Sequence, residues 1–165
     1  MLDSELRDRA QQYADRNKRT VNFDDELGSG NDGAVWVMAG PTAIKVFWRD
    51  DTFERELAAY LRLRERKVTK IKHFKIPLLI DFDEELMVIE MQIVTPPFLL
   101  DFGKAYVDFR PEYSEDALAC WEEQYRELWG EERWKIVRKL MANLTLVGIY
   151  YQDPTPRNIH FGSEE

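Results

Sequence analysis

A chain of 165 residues with 44% apolar and 13% aromatic side chains can fill one core, or one core and a small lobe. Its formal charge of −8 disfavours a broad nucleic-acid surface, because neutralising phosphates takes clustered Lys and Arg. No apolar run nears the ~18 residues of a membrane span and MLDSELRDRAQQYADRNKR has no signal-type stretch, so no membrane partner and a cytoplasmic address are expected. The single cysteine, Cys120, excludes an internal disulfide and argues against a cysteine-based metal site.

In chain order, Leu2, Leu6, Ala10 and Tyr13 recur at helical spacing, which predicts a polar helix to about Asn17. Two short strands follow around VNFDDEL and GAVWVMA, then a turn at Ala39 to Pro41. TAIKVFW alternates in a way that fits a strand covered on both faces. Asp51 or Thr52 is placed to cap a helix through about Glu65. Its end, with the loop to Lys75 (RLRERKVTKIKHFK from Arg62), reads as a solvated basic stretch; a polyanion or partner site is the alternative. IPLLIDF and LMVIEMQIV read as strands joined by an acidic turn at Asp83 to Glu85. PFLLDFGKAYVDFRPEY has no period. Ser114 opens a helix that Gly130 ends, a second runs from about Glu131 to Val147, and Gly148 caps it. Strands with one interposed helix, then helices, make an α+β chain. The expected division is a helix over 1–20, a sheet-rich part over 21–94 and a helical part over 95–165.

Four stretches bear chemistry. GSGNDGAV fits G-x-G-x-x-G-x-V through Gly28, Gly30, Gly33 and Val35; such glycines let backbone N–H groups approach phosphates, and an ordinary Gly-turn hairpin looks the same. A strand rather than a helix follows, which argues against a dinucleotide fold. Lys45, behind Ala43 in an apolar strand, needs an anion if buried; a snorkelling edge lysine is the alternative. Glu56, on the next helix, is the preferred partner, against an ordinary solvated glutamate. Asp153 and Asn158 lie five apart in YYQDPTPRNIHF, in a loop stiffened by Pro154 and Pro156. A carboxylate there can orient a hydroxyl and accept its proton, and the amide oxygen suits Mg2+. An Asx turn with a capping Asn is the bland alternative.

In this order the motifs resemble the protein-kinase-like superfamily over about residues 21 to 161. The resemblance implies a lobe built of an antiparallel sheet and one helix, a reduced helical lobe, and Mg-ATP bound between them. Gly28, Gly30, Gly33 and Val35 would cover the nucleotide. Lys45 and Glu56 would pair and position phosphates, with Ala43 beside them. Ile89 would take a gatekeeper-like place, and Glu90 to Gln92, with Met91 between, would offer backbone to the adenine edge. Asp153 would be the catalytic aspartate and Asn158 the metal-binding asparagine.

The match has departures. Tyr151 and Gln152 stand for the usual His and Arg, and Thr155 for a lysine, which removes one charge near the transferred phosphate. The family's D-F-G follows the asparagine, yet seven residues follow Asn158. The D-F-G aspartate and later helices are therefore expected to be missing and transfer to be weak or absent, with a catalytically inactive interaction module as the alternative. Asp101-Phe102-Gly103 lies too early in the chain; packing is the preferred reading, a rewired metal ligand the alternative. Asp32, within the Gly-rich stretch, would repel a triphosphate by about 1 kcal/mol or more. Trp121, Trp129 and Trp134 read foremost as packing core, and otherwise as cover for an apolar flank or a homodimer or protein contact.

Overall fold

The computed structural model describes residues 2–163. In chain order its elements are α1 (Leu2–Arg16), β1 (Val21–Gly30), β2 (Gly33–Met38), β3 (Thr42–Phe47), α2 (Asp50–Glu65), β4 (Lys70–Ile71), β5 (Phe74–Lys75), β6 (Leu79–Asp83), β7 (Val88–Gln92), β8 (Phe98–Leu99), β9 (Ala105–Val107), α3 (Glu115–Trp129), α4 (Glu131–Leu146), β10 (Ile149–Tyr151) and β11 (Ile159–His160). The architecture is α+β. One antiparallel sheet has the order β1-β2-β3-β7-β6; two small sheets, β10-β9 and β11-β8-β5-β4, lie in the rest of the chain.

Strand alternation sorts the large sheet into two faces. Ala34, Trp36, Met38, Ile44, Val46 and Val88 form one buried face, covered by Leu6, Ala10, Tyr13 and Ala14 of α1. The opposite face aligns Val35 with Lys45 and Ile89, and Val37 with Ala43 and Met91, across three strands. Phe47, Phe53, Leu57 and Tyr60 continue it onto α2. A strand buried on both sides, as read from TAIKVFW, is what β3 becomes. The α2 helix starts at Asp50, slightly ahead of the expected cap, and Arg49 before it makes no side-chain cap. Asp51 is instead gripped by Arg49 at 2.6 Å while accepting from the Thr52 N–H.

Two stretches expected to be irregular hold short strands. Within the basic stretch, β4 and β5 form a hairpin; within PFLLDFGKAYVDF, β8 and β9 flank the D-F-G triplet. Strands of two or three residues leave no period to detect. Their partners come from far away: β8 pairs with β11 and β9 with β10, both antiparallel, and Lys75 of β5 pairs in parallel with Phe98.

The Ser114 Oγ accepts from the Ala117 N–H at 3.1 Å, a capping contact that opens α3. Gly130, at φ 77°, separates α3 from α4. Gly148 takes φ 81°, a left-handed backbone that favours glycine, and a Cβ there would also displace the ends of the Arg62 and Asp108 side chains. Trp134, Val137, Leu140 and Leu144 bury one face of α4. Trp134 and Trp129 belong to the core and Trp121 is half-buried against it, so the tryptophans pack rather than form an open flank. Tyr125 stacks on Trp134 at 5.8 Å between ring centres.

Candidate nucleotide site

The β3 lysine and the α2 glutamate meet. Lys45 Nζ donates to Glu56 Oε2 at 2.7 Å, and both side chains are buried. Their shared environment makes each depend on the other. Burial pulls the Lys45 amine down, but the Glu56 carboxylate, then Asp101, outweigh it and hold the pKa above its ordinary value. Burial pushes Glu56 up to about 7, against the pull of Lys45. The lysine therefore keeps its charge, and its partner holds its proton more tightly than a solvated glutamate does.

A second acid reaches this pair. Asp101 Oδ1 stands 3.5 Å from Lys45 Nζ. The packing preferred for Asp101-Phe102-Gly103 thus describes only its middle residue. Phe102 is fully buried and meets Tyr60 and Tyr151 edge-on, at 5.2 and 5.6 Å. With Phe102 anchored, the neighbouring backbone is fixed on both sides. Asp101 takes a left-handed φ of 65°, and its Oδ1 accepts from the Gly103 N–H at 3.2 Å. Arg55 of α2 donates to the Gly103 carbonyl at 3.0 Å, and the Tyr151 hydroxyl donates to that of Leu100 at 2.8 Å. Tyr151 is a core strut for this segment.

Asp153 and Asn158 are also together. The Asn158 Nδ2 donates to both the Asp153 carbonyl, at 2.9 Å, and its Oδ2, at 3.1 Å. That occupies the amide nitrogen and leaves its oxygen as the available atom. The loop is tied down by Trp129 Nε1, which donates to the Pro154 carbonyl at 2.7 Å. The Tyr125 phenol is held above its ordinary range, first by burial and then by the Asp153 carboxylate. Lys104 Nζ lies 3.6 Å from Asp153 Oδ2.

The stretch Asp101–Lys104 is the bridge: its first residue meets Lys45 and its last meets Asp153. Sequence reading missed Lys104 and Tyr125, and took Trp129 as core without seeing that it ties down the Asp153 loop. Only the D-F-G triplet carried a signal, and its position in the chain argued against using it. Strand pairing resolves this. Because β8 adds to β11, just past Asn158, and β9 adds to β10, just before Asp153, a segment early in the chain comes to lie beside a loop late in it.

The expected adenine-edge residues divide. Val35, Ala43, Ile89 and Met91 share the Lys45 face of the sheet. Glu90 points to the other face, where its carboxylate accepts from Tyr13 Oη, Thr42 Oγ1 and Arg19 Nη1 at 2.6–2.8 Å. The backbone of Ile89 to Met91 pairs with β3 on one side and β6 on the other, so it offers no free edge. The Gln92 N–H is given to Leu78 O. Glu90 is a structural carboxylate that fastens α1 to the sheet.

The glycines divide too. At Gly33 a Cβ would sit 1.9 Å from the Val46 carbonyl, so strand packing alone demands glycine; at Gly28 and Gly30 nothing lies within 4 Å. The hairpin comes near the Asp153 loop, with Arg157 Nη2 3.5 Å from the Ser29 carbonyl. Asp32, in its turn, adds charge near Lys45 and Glu56. Two surface cavities, of about 290 and 530 Å3, flank the outer side of α2 and share no residue with the cluster. Among the described residues, no three His, Cys, Asp or Glu side chains are grouped to hold a metal. No described helix is long and apolar enough to cross a membrane.

No protein-family model and no curated protein matches the chain. Among solved structures it is similar to the ternary complex of the aminoglycoside phosphotransferase APH(2")-IIa with streptomycin and ATP, a protein of kinase-like fold. The TM-score is 0.40 and the identity 19%, over 76% of this chain and 40% of that one. The chain thus spans about two-fifths of that protein's length. An overlap of that size assigns neither a reaction nor a substrate.

Proposed function

We propose that the chain is a rearranged member of the protein-kinase-like superfamily that binds Mg-ATP between the large sheet and the Asp153 loop. The observation that carries this reading is the four-residue bridge, which joins the Lys45–Glu56 pair to the Asp153–Asn158 pair. Lys45, held charged by Glu56 and Asp101, would bind the inner phosphates. Val35, Ala43, Ile89 and Met91 would line the apolar side facing the base. The donor set fits Mg2+, a hard cation that prefers oxygen: the Asp101 carboxylate and the free Asn158 amide oxygen are of the right kind. When bound, that cation would neutralise phosphate charge. Asp153 would orient an acceptor hydroxyl and take its proton, whether the acceptor is a protein or a small molecule.

On this reading Asp101 stands in for the D-F-G aspartate that the sequence order seemed to omit. Transfer is still expected to be slow. Asp32 adds a carboxylate where phosphates would lie, and Arg157 is turned to the Ser29 carbonyl of the hairpin. Those two features favour a second reading, a catalytically inactive module that keeps the shape of the site and serves in binding or regulation.

Thermal-shift titration with ATP, with and without Mg2+, tests the first reading. Wild type should gain about 2.7 kcal/mol at a ligand concentration about a hundredfold over Kd, and Lys45→Ala should gain far less. Equal shifts in the two proteins would refute the site. Labelled γ-phosphate transfer that vanishes in Asp153→Asn would favour the enzyme; binding without transfer would favour the module.

A further inference from the structure

We propose that Lys104 is the cation that receives the terminal phosphate, so that this one side chain lets the site tell a triphosphate from a diphosphate; the proposal rests on the nucleotide reading above. Two amines serve the cluster from its two ends, and they differ in freedom. Lys45 is buried and gripped by Glu56 at 2.7 Å. Lys104 is 60% exposed, and its ion pair among the described residues, to Asp153 Oδ2, is 3.6 Å long. A long exposed pair of this kind is weak and easily exchanged for a better anion. Lysine is a compact charge on a flexible stem, which suits a phosphate arriving from several directions.

The charge balance calls for such a group. Glu56, Asp101 and Asp32 all act on Lys45. Asp153 adds a carboxylate where the chain of phosphates would end. Inner phosphates seated at Lys45 direct the last one away from that amine and toward Asp153, which repels it. Thr155, two residues on, brings no charge. Arg157 directs its Nη2 to the Ser29 carbonyl in the hairpin. Lys104 is the amine beside Asp153, and it is delivered by the same stretch that places Asp101. It therefore contributes to a ligand with a third phosphate and little to one that ends at the second.

A role confined to neutralising Asp153 makes a different forecast: in an Asp153→Asn background it leaves Lys104→Ala without effect on ATP, whereas a lysine that meets the phosphate itself keeps its effect there. Calorimetric titration of wild type, Lys104→Ala and Lys104→Arg with ADP and with ATP, at saturating Mg2+, and of Lys104→Ala in the Asp153→Asn background with ATP, separates the two; no loss of ATP affinity in that background would also overturn the proposal. Wild type should prefer ATP by about tenfold, Lys104→Ala should lose about tenfold for ATP and under about twofold for ADP, and Lys104→Arg should recover most of the loss. Equal losses for both nucleotides, or an unchanged preference, would overturn the proposal. Should wild type bind neither nucleotide, the nucleotide reading itself fails and this proposal with it, a result distinct from binding that ignores Lys104. Melting curves of the variants, expected to overlay wild type because the side chain is exposed, keep a folding defect from passing as a binding effect.

Discussion

The two halves of the site are built in different ways. Lys45 and Glu56 sit on a six-residue strand and a sixteen-residue helix, inside a sheet packed on both faces. Asp101, Lys104, Asp153 and Asn158 sit on connecting stretches between strands of two or three residues. The first half is fixed by regular structure. The second is fixed by a few large side chains and loop hydrogen bonds, with Phe102, Tyr151 and Trp129 as the anchors. Rigid elements thus hold the buried pair, and loops hold the groups that would face an acceptor.

The largest effect should come from the anchor of the weaker half. Phe102→Ala removes a fully buried ring wedged between Tyr60 and Tyr151 and should cost about 3–5 kcal/mol in chemical denaturation. Amide exchange should then show residues 98–107 and 149–161 losing protection before the large sheet does. Uniform loss across the chain would erase the distinction between the halves.

The stronger half carries a pH signature. Glu56 holds its proton up to about 7 in the folded chain against an ordinary 4.5. Between those values the folded state binds more protons than the unfolded one, so this group's contribution falls as pH rises. The slope is at most about 1.4 kcal/mol per pH unit. Glu56→Gln should flatten it, and a pH profile of the denaturation midpoint unchanged by the substitution would show that the pair does not carry it.

Smaller effects sharpen the contrast. Trp129→Phe keeps most of the ring but removes the donor to the Pro154 carbonyl; about 1 kcal/mol of stability should go, with the Asp153 loop exchanging faster. Gly28→Ala and Gly30→Ala meet open space, so stability should stay within about 0.5 kcal/mol. If they nonetheless weaken ATP binding, the hairpin touches phosphate; unchanged affinity would leave those glycines as strand residues without a ligand.

What could be read from the sequence follows the same division. Alternation in TAIKVFW, and a helix read from its cap at Asp51 or Thr52 to about Glu65, placed Lys45 and Glu56 on neighbouring elements, because long elements leave a signal strong enough to be seen. Ser114, Gly130 and Gly148 marked helix ends by local chemistry alone. The D-F-G triplet was visible but seemed displaced, because chain order says nothing of β8 pairing with β11 sixty residues later. Lys104 gave no signal at all; a lysine in an aperiodic stretch acquires its meaning only from the fold. Glu90 marks the same limit: its strand could be read from the sequence, but not that the strand's backbone is paired on both sides, by β3 and by β6.

Calorimetry of ATP binding to wild type and Asp101→Asn, each with and without Mg2+, tests the account most directly. Mg2+ should strengthen binding to wild type by about tenfold or more and do little for Asp101→Asn, which keeps the side-chain shape but loses the charge. Equal strengthening in both proteins would contradict the assignment of Asp101 to the site that joins the two halves.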